Sequence, residues 1–575
     1  MPIEKRWVVK PQGDSEAVAK LAAVLRISPV LANLLVQRGI DTVEKADKFF
    51  KPSLADLHDP FLMKDMDKAV ERVEQAVRNN EKIMVYGDYD VDGCTAVALV
   101  YKFLRQIGHK NLMFYIPDRY TEGYGVSIKG IDYAAENGFS LMLITDCGIK
   151  AVEKVKYANS RQVDIIICDH HTPGDTLPEA IAVLDPQRPD CPYPYKWLSG
   201  CGVSFKLVQA HSLKHNLPMS ELYKLLDLLC VSIASDIVPI TGENRILAYF
   251  GLQQLNSNPS LGLKTIIKIS GIDKEITIND IVFRIGPRIN AAGRVESGRK
   301  SVELLTADEK CSAAGIASDI NTFNDQRKKL DHDITEEAIR HINQSELEPS
   351  KKTTVLFNAN WHKGVIGIVA SRLTESFYRP TIILTESNGL ATGSARAVEG
   401  FDLYYAISQC SEFLENYGGH KYAAGLTLKI ENIEPFKQKF ERIVRETIDD
   451  EMLTPQINID AKIKLTDITP DLYHMLQKFA PFGPNNTIPV FMTEKVTNFI
   501  GTKRVGRNNE HLKLVIVDDT RACNDRSGIG FGMGHLYDKV NSGGFFDICY
   551  TLQENEFMGK NDIQMIVKDI RLREE

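Results

Sequence analysis

Residues 82–93 read Lys82-Ile-Met-Val-Tyr86-Gly-Asp88-Tyr-Asp90-Val-Asp92-Gly93. The apolar run Lys82–Tyr86 predicts a strand, and Cys94–Ile107 predicts a helix. Three aspartates fall in the turn between them. Asp90 and Asp92 share parity, so an extended loop places both on one side. Gly93 permits a close backbone approach with a helix starting just after it. The arrangement recurs downstream: Asp146-Cys147-Gly148 follows Leu141–Ile144, Asp169-His170-His171 follows Asp164–Cys168, and Asp236 follows the apolar run Leu228–Ala234, itself read as strand-like. Carboxylates and imidazoles gathered from several strand ends are what a pair of divalent ions needs, and two such ions make water a nucleophile toward a phosphate ester.

Outward from this stretch, strands and helices alternate. Asn111–Ile116 predicts a strand, Ile128–Asn137 a helix and Ala151–Asn159 another. Short Val/Ile-rich strands alternating with helices imply a parallel sheet covered on both faces, and ligands in such sheets bind beyond the carboxyl ends of the strands. Asp308–Ile342 predicts one or two connecting helices, and a second α/β region runs from Thr353 to about Asp450. From Gln456 onward, short alternating runs broken by Gly and Asn turns fit a small antiparallel barrel, a pattern that a β-sandwich also writes. The expected class is α/β with five parts. These are an N-terminal segment, 1–75, packing on the parallel-sheet domain, 76–305; a helical connector, 306–350; a smaller α/β domain, 351–452; and a barrel, 453–575.

At 575 residues the chain exceeds a single core. No apolar run approaches a membrane span, since Asp227 interrupts Leu225–Ala234, and Met1–Lys10 has no apolar core of a signal peptide. The 10 cysteines show no C-x-x-C pairing and lie mostly in apolar surroundings, which reads as reduced thiols in a cytoplasmic protein. The net charge of −7 argues against nucleic acid only weakly, because acids at a metal centre are neutralised there and global charge hides basic patches. Basic stretches occur at Arg284, Arg288, Arg294, Arg299 and Lys300, and at Lys503, Arg504 and Arg507. No G-x-x-x-x-G-K-[ST] occurs, which disfavours an NTP-driven motor.

Any one of these aspartates has a plain alternative as a helix cap or turn closure. The set of Asp88, Asp90, Asp92, Asp146, His170 and Asp236 instead suits magnesium, or manganese, which tolerates imidazole. With these motifs the chain resembles the DHH phosphoesterase superfamily and, within it, the RecJ single-strand-specific exonucleases. Val85–Gly93, Thr145–Ile149, Cys168–Gly174 and Ser235–Pro239 look like the four motifs of the first domain. Arg284–Arg294 is similar to a RecJ-specific stretch, Gly418–Gly425 to the DHHA1 signature, and Phe479–Asn486 to the entry of the RecJ oligonucleotide-binding barrel. Cys147 stands where the family commonly has Asn, Ser235 where Ala is usual, and Gly393-Ser-Ala-Arg-Ala397 replaces G-S-G-R-S.

The resemblance implies a two-metal exonuclease using Mn2+ or Mg2+, acting 5′→3′ on single-stranded DNA and releasing 5′-mononucleotides. His171 is then an aid to the nucleophile or leaving group. Arg119, Ser394 and Arg396 are candidates for a pocket gripping a terminal 5′ phosphate, with His420 a further phosphate contact. Arg288, Asn290 and Arg294 could line a basic track for the strand. Tyr124, Tyr193, Trp197, Phe283 and Trp361 could stack bases, with core packing as the alternative for each. Lys503, Arg504, Arg507 and Lys513 would widen the footprint. The family also implies a single-strand-binding protein and a helicase as partners, no membrane contact, and a monomer. Two rivals stand beside this reading: a DHH phosphodiesterase acting on short oligoribonucleotides or cyclic dinucleotides, and a DNA-binding scaffold without catalysis.

Overall fold

The computed structural model describes residues 4–344, 350–518, 525–557 and 560–573, with side chains at 556–561 excepted. It divides into two compact units. One holds Leu57–Val238 and Gly242–Pro455; the other holds Glu4–Asp56, Pro239–Thr241 and Gln456–Glu575.

The first unit is built on a five-stranded, wholly parallel sheet. Its order is Leu112–Tyr115, Ile83–Gly87, Leu141–Thr145, Asp164–Cys168 and Ala182–Leu184. Ile83–Gly87 and Leu141–Thr145 are buried at every residue, as strands covered on both faces must be. The chain runs from Ile83–Gly87 outward to Leu112–Tyr115 and then returns to pair Leu141–Thr145 on the other side. The two inner strands therefore flank the point where strand order reverses, the position where such sheets bind ligands. Asp88 and Asp146 are the first residues beyond those two strands.

Asp236 departs from the strand-end pattern. The run before it is a buried helix, Leu226–Ser235, and Asp236 is its C-cap. A short, continuously apolar segment does not reveal its period when every side is buried. Arg284–Arg294 is helical as well, with a π-turn at Ile281–Ile285 leading into Gly286–Val295.

The connector is a single helix, Lys310–Gln344, 35 residues long and so roughly 50 Å from end to end. It leads to a five-stranded mixed sheet ordered Leu414–Gly419, Ala423–Leu428, Leu390–Arg396, Thr381–Ser387 and Thr354–Phe357. Thr354–Phe357 pairs parallel to its neighbour and the other contacts are antiparallel. Helices Ile366–Phe377 and Ile433–Thr447 cover this sheet, burying Val369 and Leu373 from the first and Phe436 and Phe440 from the second.

In the second unit, seven strands form one sheet, and five of them close on themselves. Phe491–Asn498 pairs with Phe546–Phe557 along most of its length and with His511–Val517 at its end. Lys560–Leu572 and Arg526–Gly530 complete the circuit, which removes the open sheet edges. The expectation that residues 1–75 pack on the parallel-sheet domain is corrected here: residues 4–56 belong with this barrel unit. Arg6–Val9 adds parallel to Gln456–Ile459. Leu31, Ala32, Leu34 and Leu35 of the helix Pro29–Val36 share a core with Phe479, Phe491, Leu512 and Tyr550. The partner of this short helix's apolar face lies more than 400 residues away in the sequence, beyond the reach of any local pattern.

Leu34 is fully buried in that core. Leu34→Ala should cost roughly 2–5 kcal/mol. Hydrogen exchange should place the lost protection in the barrel strands and leave Ile83–Gly87 and Leu141–Thr145 unchanged; loss confined to the parallel sheet would contradict the grouping.

Candidate metal centre and nucleic-acid site

The first acidic turn packs tightly. A Cβ on Gly93 would lie 2.4 Å from the Asp88 carbonyl oxygen, so glycine is needed for the turn to close. Asp90 caps the helix Val91–Gln106 and accepts from the Gly93 amide at 3.0 Å. The cap uses one carboxylate oxygen and leaves the other available to a ligand role. Asp92 sits in the first turn of that helix, buried. It accepts from the Gly200 and Cys201 amides at 2.6 and 2.9 Å and from the Ser232 hydroxyl at 2.6 Å. The start of the helix Gly200–Lys214 thus aims its free N–H groups at Asp92, the favourable placement for an anion.

Asp146 adopts a left-handed backbone (φ 58°), which aspartate tolerates better than most residues. Its amide donates to the Cys168 carbonyl at 2.9 Å, which fixes it across the ends of two strands. A Cβ on Gly200 would fall 2.6 Å from the Asp146 side chain, so glycine lets this helix approach the carboxylate. His170 Nε2 lies 3.3 Å from Asp146, 3.6 Å from Asp236 and 3.8 Å from Asp92.

Three groups of side chains bring their ligand atoms within 4.8 Å of one another: Asp88, Asp90 and Asp146; Asp92, His170 and Asp236; and Asp146, His170 and His171. The shared Asp146 and His170 join them into one constellation. Burial and then neighbouring aspartates push the carboxyls of Asp88, Asp90, Asp146 and Asp236 up. Burial pushes the His170 imidazole down, toward the neutral form that ligates metal. Asp88 Oδ1 and His170 Nε2 are buried with no hydrogen-bond partner among the described residues. Orphaned acceptors among crowded, dry carboxylates fit divalent cations, which would neutralise the repulsion and use the lone pairs.

Asp169, third in sequence order among the acidic clusters, does something else. It accepts from the amides of Ile149, His170 and His171 and lies 2.7 Å from His171 Nδ1. Burial opposes its ionisation, but the hydrogen bond and charge of His171 and the backbone donors hold the carboxyl at about 2. His171 is thereby oriented with Nε2 toward the Tyr124 hydroxyl, 3.3 Å away. Sequence reasoning missed this orienting role, along with Gly200 and Ser232. The run Ser199-Gly-Cys-Gly202 before a helix was the available signal for the Asp92 clamp.

The cationic candidates gather on the other side. Arg119 stacks over Tyr89 at 4.7 Å and acts on Asp88 as an opposite charge. Arg396 donates to Ser394 Oγ at 3.0 Å, and its guanidinium is pushed down by burial and then by Arg119. Arg294 donates to the Gly364 carbonyl of the second domain at 3.0 Å. Burial, followed by Arg119, Arg327 and Arg396, pushes Arg294 down to about 10. His420 lies in the hairpin between Leu414–Gly419 and Ala423–Leu428; burial and then His171 and Lys150 push it down. Arg119, Arg294 and His420 therefore lie within electrostatic reach of the acidic centre, and Arg396 with Ser394 lies within reach of Arg119.

Arg288 is spent on Asn321 and the Arg284 carbonyl, with Asn290 half-buried on the same helix. Arg284 bonds the carbonyls of Ser270 and Gly271, and Arg299 and Lys300 pair with acids. Tyr193 and Trp361 are core residues bonded to Glu243 and Glu337, whereas Tyr124, Trp197 and Phe283 are exposed. In the barrel unit Arg504 pairs with Asp538, while Lys503, Arg507 and Lys513 are exposed.

Among the described residues, no helix is long and apolar enough to cross a membrane. Three family models match the chain: the DHH family, N-terminal domain, over 82–233; the DHHA1 domain over 350–446; and the RecJ OB domain over 459–569. The single-stranded-DNA-specific exonuclease RecJ of Bacillus subtilis is 37% identical over 572 residues, 99% of this chain and 71% of that protein. Its namesake from Salmonella typhimurium is 31% identical over 578 residues, 97% of this chain and 98% of the relative. The crystal structure of RecJ in complex with Mn2+ from Thermus thermophilus matches 100% of this chain and 81% of its own at a TM-score of 0.86 and 26% sequence identity. With two relatives above 30% identity along nearly its whole length, and with the three domain models in order, this chain belongs to the family of RecJ single-stranded-DNA-specific exonucleases.

Proposed function

We infer that this chain is a single-stranded-DNA-specific exonuclease, a divalent-metal-dependent phosphodiester hydrolase of DNA repair and recombination. One observation carries the reading: a dry carboxylate and imidazole constellation at the reversal point of a parallel sheet, ringed by guanidiniums from two domains. The sites are built for two Mn2+ or Mg2+ ions. Asp88, Asp90, Asp92, Asp146, His170 and Asp236 would hold them. Bound there, the ions supply Lewis-acid polarisation of the phosphoryl group and acidify water at neutral pH.

The chain's own residues do the rest. Arg119, Ser394, Arg396 and His420 grip the 5′-terminal phosphate and set the polarity, so that 5′-mononucleotides leave stepwise. Arg294 closes the grip where the second domain meets the first. Asp169 fixes the His171 ring, and His171 Nε2 exchanges a proton with the nucleophile or leaving group. The parallel-sheet domain is the catalytic part, the second domain binds the end of the substrate, and the barrel extends the contact with the strand. We further propose that the chain acts as a monomer in the cytoplasm, beside a single-strand-binding protein and a helicase. Its nine described cysteines, all free, suit a reducing compartment.

Asp146→Asn should lower turnover by at least a thousandfold in Mn2+. It should also raise the melting temperature of the metal-free protein, because it removes one of several repelling buried acids. Retained turnover, or a lowered melting temperature without metal, would contradict the central assignment of Asp146. Arg396→Ala should abolish the preference for a 5′-phosphorylated over a 5′-hydroxyl strand, measured as the ratio of kcat/KM for the two; an unchanged ratio refutes the pocket. Strands labelled at either end test the function itself, with release from the 5′ end and an intact duplex as the expected result.

A further inference from the structure

The residue that follows Asp236 is held in a conformation its type resists. Ile237 has a left-handed backbone (φ 59°), in which a β-branched side chain crowds the next peptide. Most other non-glycine residues with this backbone among the described residues are Asn or Asp, which tolerate it, and Ile237 is the single β-branched one. It is also 66% exposed, so burial of the side chain does not offset the strain.

Neither the path of the chain nor the core asks for isoleucine here. The left-handed turn lets the chain leave the helix Leu226–Ser235 for Pro239–Thr241, which belongs to the barrel unit. There Ile240 is fully buried, and its amide donates to the Pro484 carbonyl at 2.8 Å. Val238 is buried as well. Asn or Gly at position 237 would make the same turn at lower cost. An aliphatic side chain kept in solvent at a strained position therefore points to a contact outside the chain, since strain of this kind collects at ligand clamps and active sites.

The position indicates what that contact is. The Asp236 carboxylate is grouped with Asp92 and His170, whereas Asp88 and Asp90 are grouped with Asp146. Arg119, assigned above to the terminal phosphate, stacks at 4.7 Å over Tyr89, which lies between Asp88 and Asp90 in the chain. Ile237 thus adjoins the ligand group that Arg119 does not. A strand with its terminal phosphate on the Arg119 side and its first phosphodiester at the metal centre would run on past Asp236, where its second nucleotide would meet Ile237. The adjoining element offers apolar surface too. A Cβ on Gly286 would lie 2.8 Å from Ser235 Oγ, and Phe283, in the π-turn that ends at Ile285, is 74% exposed. Apolar surface beside a charged track suits the faces of bases of any sequence.

Resting on the exonuclease reading and its terminal-phosphate pocket, we propose that Ile237 is a substrate contact: its side chain packs against the base and sugar of the nucleotide on the 3′ side of the scissile phosphodiester and so holds that phosphodiester at the metal centre. The contact is apolar and independent of sequence, as stepwise degradation of any strand requires.

The test uses the full-length protein with Mn2+ and 5′-phosphorylated single strands of about 20 nucleotides, either intact or with one abasic nucleotide at the first or the second position. With the unmodified protein, loss of the second base should lower kcat/KM for the first cleavage by roughly fivefold, the partial burial of one aliphatic side chain. Ile237→Asn, which suits the left-handed backbone, should lower kcat/KM on the intact strand by a similar factor and cleave the strand abasic at the second position no more slowly than the intact one. Its discrimination against an abasic first nucleotide should stay that of the unmodified protein, and its melting temperature should be unchanged or higher. Ile237→Val should restore most of the activity and of the second-base discrimination. Second-base discrimination that is absent from the unmodified protein, or that persists in Ile237→Asn, would overturn the contact while leaving the exonuclease reading intact. A lowered melting temperature with all three strands slowed alike would show that Ile237 packs within the chain, and would overturn it equally. Absence of cleavage by the unmodified protein would overturn the exonuclease reading itself and the contact with it.

Discussion

Like charges held together in a dry place are the constraint on which the rest of the first unit depends. Asp92, Asp146 and Asp236 converge on His170, and Asp88 and Asp90 join them through Asp146. Two unit charges 4 Å apart interact by about 4 kcal/mol even at an effective dielectric of 20. Flexible loops would relax apart under that repulsion. Each acid is therefore tied to a rigid element: Asp88 and Asp146 to the ends of buried strands, Asp90 to a cap, Asp92 to the start of one helix and Asp236 to the end of another. The left-handed backbone of Asp146 and the glycine at 200 follow from the same need, since they bring the elements close enough to converge.

The converse problem is met on the facing side. Arg119, Arg327 and Arg396 each act as like charges on Arg294, which joins the two domains of the unit through Gly364. Neither group of like charges favours stability on its own. Hydrolysis of a polyanion with divalent ions requires acids for the cations beside positive groups for the phosphate. Local departures from good packing and pairing collect at this surface, while the sheets and the barrel core are conventionally apolar.

Asp169 shows that residue type does not determine role. It carries the same carboxylate as Asp146 and lies as deep. Yet backbone amides and His171 hold Asp169 ionised at about 2, whereas burial and neighbouring acids push Asp146 up. The difference lies in the donors around each group, and these come from elements distant in sequence. The histidines of the Asp-His-His run divide in the same way, one among the ligand carboxylates and the other fixed by Asp169.

Much of the fold and the site was legible in the sequence, because the signals are local. Strands such as Asp164–Cys168 announce themselves as short β-branched runs, and acids at their ends fall on the binding edge of any parallel sheet. The acids and histidines that the structure brings together, and the barrel, followed from such runs and from family-like motifs. The sequence could not show that Leu226–Ser235 is a helix, because full burial erases the period by which helix and strand are told apart. Nor could it show that residues 4–56 belong with the barrel unit, that Arg288 bonds Asn321, or that Asp331 pairs with Arg372. Local order is written in neighbouring residues, whereas the partner of a buried charge or an apolar face is chosen by packing across the whole chain, and only the tertiary structure decides it.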